Sequence, residues 1–439
     1  MYLTTQIHIT DSTDGDNYIQ TLYHLCYHSA RMYNVGLYSV RQHFINNNTY
    51  LSYYDNYHCC KTNENYQLLL TDTGQQILRL VDRDIKSFFQ LLNLKKQGKY
   101  SSKVCLPRYK NKTGVMTCSV QGRSCRIHEN KLRIGLTKEF RTLYNLDYKY
   151  IEFTLPKNVN KTAIKEVRII PLYKGKEYTI EIIYNNTDIQ QQPTGNGVLS
   201  IDVGVGNLMT CVSFSNSKPV DQFIIDGRYV KNVNYYYNKQ VTKLKSAYAT
   251  NKSITSENTP RMRRLCNGRK YRINDYFNKS VKYLMHYCVK NGIGTIVIGY
   301  NKEQKQEINT GKVNNQNMVY IPFGNLRSKL EYQCELYGIK YITQEESYTS
   351  KVSAIDGDVI PVFGDGGEYS FSGRRIKRGL YRSGDGSILN SDVNGSVNIL
   401  RKYVKDQKCK EKIGDVSIDS IRALVNTPCL RINPFRVDF

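Results

Sequence analysis

Two short segments constrain this chain more than anything else in it: Ile201–Asn207, IDVGVGN, and Ser391–Ile399, SDVNGSVNI. Each sets one aspartate among small residues, the first at the end of an apolar run and the second at the start of a helical one. Hard carboxylate oxygens suit divalent magnesium, and two ions held by shared carboxylates suit phosphodiester cleavage. Either aspartate alone also fits a turn or a helix cap. The pair, in a chain this basic, points to metal-dependent chemistry on a phosphate backbone.

The formal charge is +25, from 63 Lys and Arg against 38 Asp and Glu. Such a surplus favours a polyanion, because each phosphate contact releases condensed counterions. No apolar run approaches membrane-spanning length and Met1–Thr21 carries no signal-peptide pattern, so nucleic acid rather than a membrane is the expected partner. The 37 Tyr can stack on unpaired bases. The 12 Cys form no CxxC pair and read as small buried hydrophobes rather than a disulfide framework.

At 439 residues, two or three domains are expected. Residues 1–194 read as a small β-barrel with a helical insertion at about 17–95. Tyr2–Ile9 alternates like a strand, and Leu78, Val81, Ile85, Phe88, Phe89 and Leu92 share one helical face. Short strands are expected from Cys105 to Ile183, and the polar Tyr184–Gly195 reads as a boundary. Residues 195–439 show three strands (Gly197–Val203, Leu208–Phe214, Asp221–Ile225), then a basic helical section at 228–290. From Arg228 to Lys282 there are 14 Lys and Arg against two acids, with tyrosines interleaved, a pattern that suits a nucleic-acid channel. Strand Gly294–Gly299, helix Phe323–Tyr337, strand Ile339–Thr343, a loop-rich insert at 350–390 and helix Asp392–Val404 complete the ribonuclease H order. The fold class is therefore α+β multidomain, with an α/β nuclease-type domain in the second half.

The chain resembles the TnpB family, transposon-encoded RNA-guided nucleases related to type V CRISPR effectors. The resemblance rests on Ala30–Leu37 (ARMYNVGL), Asp82–Leu92 (DRDIKSFFQLL), Leu106–Lys110 (LPRYK), IDVGVGN, Glu346–Lys351 (ESYTSK) and SDVNGSVNI, in the family's order. It implies a wedge barrel and recognition helices that grip a guide RNA from the element's own end and read a short motif flanking the target. It also implies a RuvC-type, magnesium-dependent domain (manganese being an alternative ion) that cuts double-stranded DNA and its unwound strands, with one protein copy per guide. Sequence choice is then delegated to base pairing. The location implied is the cytoplasm, on the nucleoid of a prokaryotic host. A compact type V CRISPR effector is an alternative within the same resemblance.

Two departures from the family pattern matter. The strand matching Thr295–Ile298 ends in Gly299 where most members carry the third catalytic carboxylate. Glu345 and Glu346 stand just past the next strand. Some TnpB proteins, and the eukaryotic relatives called Fanzor, are similar in having moved this Glu, so the resemblance assigns the role to Glu346 in ESYTSK. The implied catalytic, metal-holding set is Asp202, Glu346 and Asp392, with Asp202 bridging two ions. Relatives also carry a four-cysteine zinc ribbon. Here Ser353 and Asp356 take the first pair's place and no cysteine occurs from Val352 to Asp392, so no structural zinc is expected and the insert is a degenerate ribbon.

Candidate nucleic-acid contacts are Tyr33, Asn34, Arg108 and Lys110 in the first half. In the second half they are Arg261, Arg263, Arg264, Arg269, Lys270, Lys351, Arg374, Arg375 and Arg378. Tyr33 and Asn34 fit helix packing equally well. Asn394 and Asn398 are expected to fix the last helix against the sheet, and Ile308–Phe323 to connect or to cover the site. Three functions compete: a guided endonuclease, a guided DNA-binding repressor with a dead site (motivated by Gly299), and an unguided transposase or resolvase. The last has no need of an N-terminal half bearing LPRYK.

Overall fold

The computed structural model describes residues 2–10, 18–156, 159, 164–185, 195–215, 218–250, 259–301, 312–362, 364, 367–406 and 417–437. The expected boundary lies largely outside these residues, as does the start of the expected loop Ile308–Phe323. The chain divides into two compact units, Met1–Asp188 and Ile189–Phe439.

In the first unit, β1 (Tyr2–Ile9) is followed by helices α1 (Ile19–Asn47), α2 (Tyr53–Cys60), α3 (Glu64–Gln67) and α4 (Thr71–Lys96). Then come β2 (Cys118–Gln121), β3 (Cys125–His128), β4 (Lys131–Gly135), α5 (Lys138–Leu143), β5 (Tyr150–Thr154), β6 (Ile164–Leu172) and β7 (Glu177–Asn185). Where a barrel is expected, the described strands pair as two sheets, β1-β7-β6-β2 and β3-β4-β5. They share one apolar core, in which Leu22, Tyr33 and Leu37 of α1 meet Leu78 and Val81 of α4 and Val167 and Ile180 of the larger sheet. The two long helices approach closely at Gly36, where a β-carbon would come within 2.6 Å of the Leu78 side chain. Helix α5 falls inside a stretch expected to be strands only. Its six residues are too few to show a period, but Thr137 caps it by accepting from the Phe140 N–H, and Phe140 is fully buried.

The second unit runs β8 (Gly197–Val203), β9 (Asn207–Ser215), β10 (Lys218–Asp226), α6 (Arg228–Thr250), α7 (Pro260–Lys290), β11 (Ile293–Tyr300), α8 (Lys312–Tyr320), α9 (Phe323–Leu336) and β12 (Lys340–Glu345). It continues with β13 (Arg374–Lys377), β14 (Leu380–Arg382), β15 (Ile388–Asn390), α10 (Ser391–Asp406), α11 (Ile418–Val425) and β16 (Leu430–Ile432). One sheet has the order β12-β11-β8-β9-β10-β16. Its first three strands in sequence are antiparallel neighbours; β11 lies parallel to β8, and β12 parallel to β11. This is the ribonuclease H order, extended at one edge by β16, which runs parallel to β10. One face packs on α7 and α9 through Leu199, Ile201, Ile296 and Ile298. The other packs on α10 and α11 through Val198, Val297, Val397 and Leu400. The ribbon-like insert ends in a three-stranded antiparallel sheet, β13-β14-β15. Among the described residues no helix is long and apolar enough to cross a membrane.

Candidate active site

Strand parity decides which side chains meet. In β8, Leu199, Ile201 and Val203 face one core, so Val198, Ser200 and Asp202 face α10. That helix presses small residues onto them. The Ser200 hydroxyl donates to the Ser396 carbonyl at 2.8 Å, and a β-carbon on Gly395 would come within 2.8 Å of Asp202 Oδ2. Gly395 thus leaves a cradle for the carboxylate. Burial pushes the Asp202 carboxyl well above its usual range, repulsion from Glu346 and Asp392 adds to this, and Arg375 opposes it.

Glu346 reaches the same place from two strands away. Ile298 is paired with Ile201 and Gly299 with Gln344, so Asp202, Gly299, Gln344 and Glu346 fall on one face of the sheet. A β-carbon at 299 would come within 2.5 Å of Glu346 Oε2. The glutamate carboxylate therefore fills the space a side chain at 299 would take. Burial pushes Glu346 up to about 6, with Arg327 opposing and Glu345 adding. Its main chain is fixed by a tight turn: the Thr349 N–H and hydroxyl both donate to the Glu346 carbonyl, and Tyr348 holds φ at +67°.

Asp392 opens α10. Asn390 Oδ1 accepts from the Asp392 and Val393 N–H groups, so the side chain enters at the positive end of the helix. Its Oδ2 accepts from Asn207 Nδ2 at 2.7 Å; its Oδ1 accepts from the Ser391 hydroxyl and stands 3.6 Å from Arg375 Nη2. A cleft of about 910 Å³ has Asp202, Asn207, Thr210 and Asp392 on its walls. Arg228, Lys231, Arg375, Arg378 and Arg431 also line it, so acids are ringed by cations.

Three observations suit a divalent cation here: mutually repelling carboxylates, cradles at Gly299 and Gly395, and the Thr210 hydroxyl, which is buried beside Asp202 with no protein partner. Among the described residues no three His, Cys, Asp or Glu side chains are drawn to ligand spacing. Arg375, paired with Asp392 and opposing the rise at Asp202, already supplies positive charge at this point.

The candidates from sequence divide sharply. Glu345 lies on the opposite parity and is paired with the buried Lys402, so the structure brings Glu346, not Glu345, to Asp202. Tyr33 is 1 % exposed and donates to Asp84 at 2.8 Å, which makes it a core residue rather than a DNA contact. Asn34 is bonded on both sides to the Lys110 backbone, and the Lys110 ammonium lies 4.4 Å above the Tyr33 ring. Both therefore brace the LPRYK loop, while Arg108 stays exposed. Arg261, Arg264 and Lys270 are exposed on α7. Arg263 is buried, and Arg269 is held by Asn234 at 2.6 Å and the Tyr320 carbonyl at 2.6 Å, so neither is a surface contact. Lys351, Arg374 and Arg378 are exposed. Asn394 and Asn398 bind the 349–354 segment rather than the sheet, through the carbonyls of Thr349 and Val352 and the Ala354 N–H. They hold the turn that follows Glu346.

In the ribbon insert, Asp356 accepts from the Ser353 and Ser372 hydroxyls and from the Gly384 and Asp385 N–H groups. Asp356 thus ties together three segments of the insert, at 353, 372 and 384–385. Sequence reasoning does not single out Thr210, Asn207, Arg327 or Arg431. The first two follow IDVGVG within one strand start, which is a usable signal; the arginines have none.

A family described as OrfB_IS605, probable transposase, matches residues 181–305, and Cas12f1-like, TNB domain, matches 323–399. The chain is 24% identical over 414 residues to the TnpB-like protein ORF457 of Acidianus two-tailed virus, covering 86% of this chain and 82% of that protein. Among solved structures, Cas12f1 in complex with sgRNA and target DNA is similar at 14% identity and TM-score 0.48, over 88% of this chain and 82% of that one. The mini-RNA-guided endonuclease CRISPR-Cas_phi3 is similar at 9% identity and TM-score 0.45, over 92% of both chains.

Proposed function

We propose that this chain, similar to TnpB-type proteins, is an RNA-guided DNA endonuclease of a mobile element. The observation that carries the reading is the placement of Asp202 and Glu346 on one sheet face, with Asp202 electrostatically coupled to Asp392 and both aspartates lining an arginine-walled cleft. A nuclease-dead repressor would have no use for a glutamate placed over Gly299 in this way.

Asp202, Glu346 and Asp392 would hold magnesium, or manganese in its place, which supplies Lewis-acid stabilisation of charge at the scissile phosphate. The protein's own groups do the rest. Arg228, Lys231 and Arg378 line the cleft and bind the phosphate backbone, orienting one strand past the acids. Arg375 neutralises charge between Asp202 and Asp392. Arg327 favours the ionised form of Glu346, keeping it ready to ligate. The guide RNA, from the element's own end, and the unwound target DNA are the partners, with one protein copy per guide. The guide sets the sequence and the protein reads a short flanking motif.

The test is co-expression with the native flanking DNA, sequencing of the bound RNA, and cleavage of a matched plasmid in magnesium. A discrete bound transcript and cleavage abolished by Asp202→Ala and Glu346→Gln are expected. Absence of a discrete RNA removes guidance, and uncut plasmid with the guide bound leaves a repressor.

A further inference from the structure

We propose that Asn207 and Arg431 form a positioning relay that presents Asp392 to the metal, making the C-terminal strand part of the nuclease site. The inference rests on the reading of Asp392 as a metal ligand. Asn207 Nδ2 donates to Asp392 Oδ2 at 2.7 Å, and Arg431 Nη2 donates to Asn207 Oδ1 at 2.8 Å.

The chemistry of the three groups fixes the direction. An asparagine amide can turn either way, and its oxygen facing Asp392 would repel that carboxylate. Arginine has donors only, so Arg431 takes the amide oxygen and turns the NH2 group to Asp392. The Asn207 bond fixes the rotation of the Asp392 carboxylate, whose Oδ1 is shared by the Ser391 hydroxyl and Arg375. Arg431 is itself held by Asp226 at 3.2 Å.

The segment carrying Arg431 is pinned to the sheet. β16 pairs with β10 through Ile224 and Arg431, and the buried Gln222 amide donates to the Leu424 carbonyl at 2.9 Å and the Thr427 carbonyl at 2.6 Å. The sixth strand, outside the ribonuclease H core, thus delivers a guanidinium to the cleft wall. Partners that orient a ligand in this way change metal affinity by roughly 10–100-fold when removed.

The test is manganese binding to the purified full chain without nucleic acid, read from the loss of the free-ion EPR signal, with thermal melts alongside. Asn207→Ala and Arg431→Gln are each expected to weaken manganese binding by roughly tenfold or more. The double variant should be no weaker than Asn207→Ala alone, because Arg431 acts through Asn207. Arg431 is partly exposed on an edge strand, so Arg431→Gln carries the test even if Asn207→Ala melts early. Wild-type affinity in Arg431→Gln, or a double variant showing the product of the two losses, overturns the relay. Asp202→Ala separates the two readings. If it abolishes manganese binding while Asn207→Ala and Arg431→Gln do not weaken it, only the relay fails; if it changes nothing, the metal site and the nuclease reading fail together.

Discussion

The carboxylate of Glu346 lies over the α-carbon of Gly299, so close that a β-carbon at 299 would come within 2.5 Å of Oε2 and 2.7 Å of Ile399 Cδ1. One acid thus stands in for the side chain that its neighbouring strand lacks. Gly299→Ala should displace Glu346 and lower plasmid cleavage at least tenfold, at a stability cost of about 1–3 kcal/mol from overpacking. Cleavage kinetics with a melting curve check this. Moving the acid back, in the double change Gly299→Glu with Glu346→Gly, should recover part of the lost rate.

Burial and mutual repulsion make the ionised acids costly without metal. A carboxyl whose folded pKa lies above its unfolded value contributes stability at low pH that is lost as pH rises through the folded value. For Glu346, pushed up to about 6 from 4.5, the loss is about 2 kcal/mol by neutral pH. Glu346→Gln should therefore melt at higher temperature than wild type above pH 7, with the gap closing toward pH 4.5. Asp202→Asn should shift in the same direction. Magnesium should narrow both gaps, because it binds the folded wild type. Melts against pH, with and without magnesium, decide it.

Glu345 and Glu346 should separate cleanly. Burial alone would raise Glu345, but hydrogen bonds from Lys402 and Ser347 outweigh it and hold the carboxyl below its usual range. Glu345→Gln leaves the buried Lys402 ammonium without its carboxylate and should lower stability while guided cleavage persists. Glu346→Gln should do the reverse. Parallel melting and cleavage assays of the two variants read the difference directly.

On α7, exposure sorts the arginines. Replacing Arg261, Arg264 and Lys270 together by glutamine should weaken nucleic-acid binding regardless of sequence. It should also flatten the slope of log affinity against log salt by about 0.9 for each duplex phosphate no longer neutralised. Arg269→Gln should instead lower the melting temperature, since it breaks the bonds to Asn234 and the Tyr320 carbonyl. Salt titrations of binding and thermal melts distinguish the two classes.

Much of the second unit was legible in the sequence because its signals are local. The apolar run Gly197–Val203, the helical spacing after Ser391 and the order of strands and helices between them suffice for a ribonuclease H arrangement. Asp202 and Asp392 stand out for the same reason, each marked by its immediate neighbours. The first unit was less legible: α5 is too short to show a period, and the pairing of its strands into two sheets depends on partners far apart in sequence. Tyr33 and Arg263 carry the residue types of a nucleic-acid surface, yet packing against distant elements buries them. The resemblance alone favours Glu346 over Glu345, but the knot around Asp356 and the line from Arg431 through Asn207 to Asp392 appeared only once the chain was folded. Sequence by itself determined most of the elements and marked two of the acids by their neighbours, because periodicity and capping act over a few residues; the third, Glu346, came from the resemblance. Tertiary structure alone decided which side chains face one another, because strand parity and helix docking are set by contacts between residues as far as 224 positions apart.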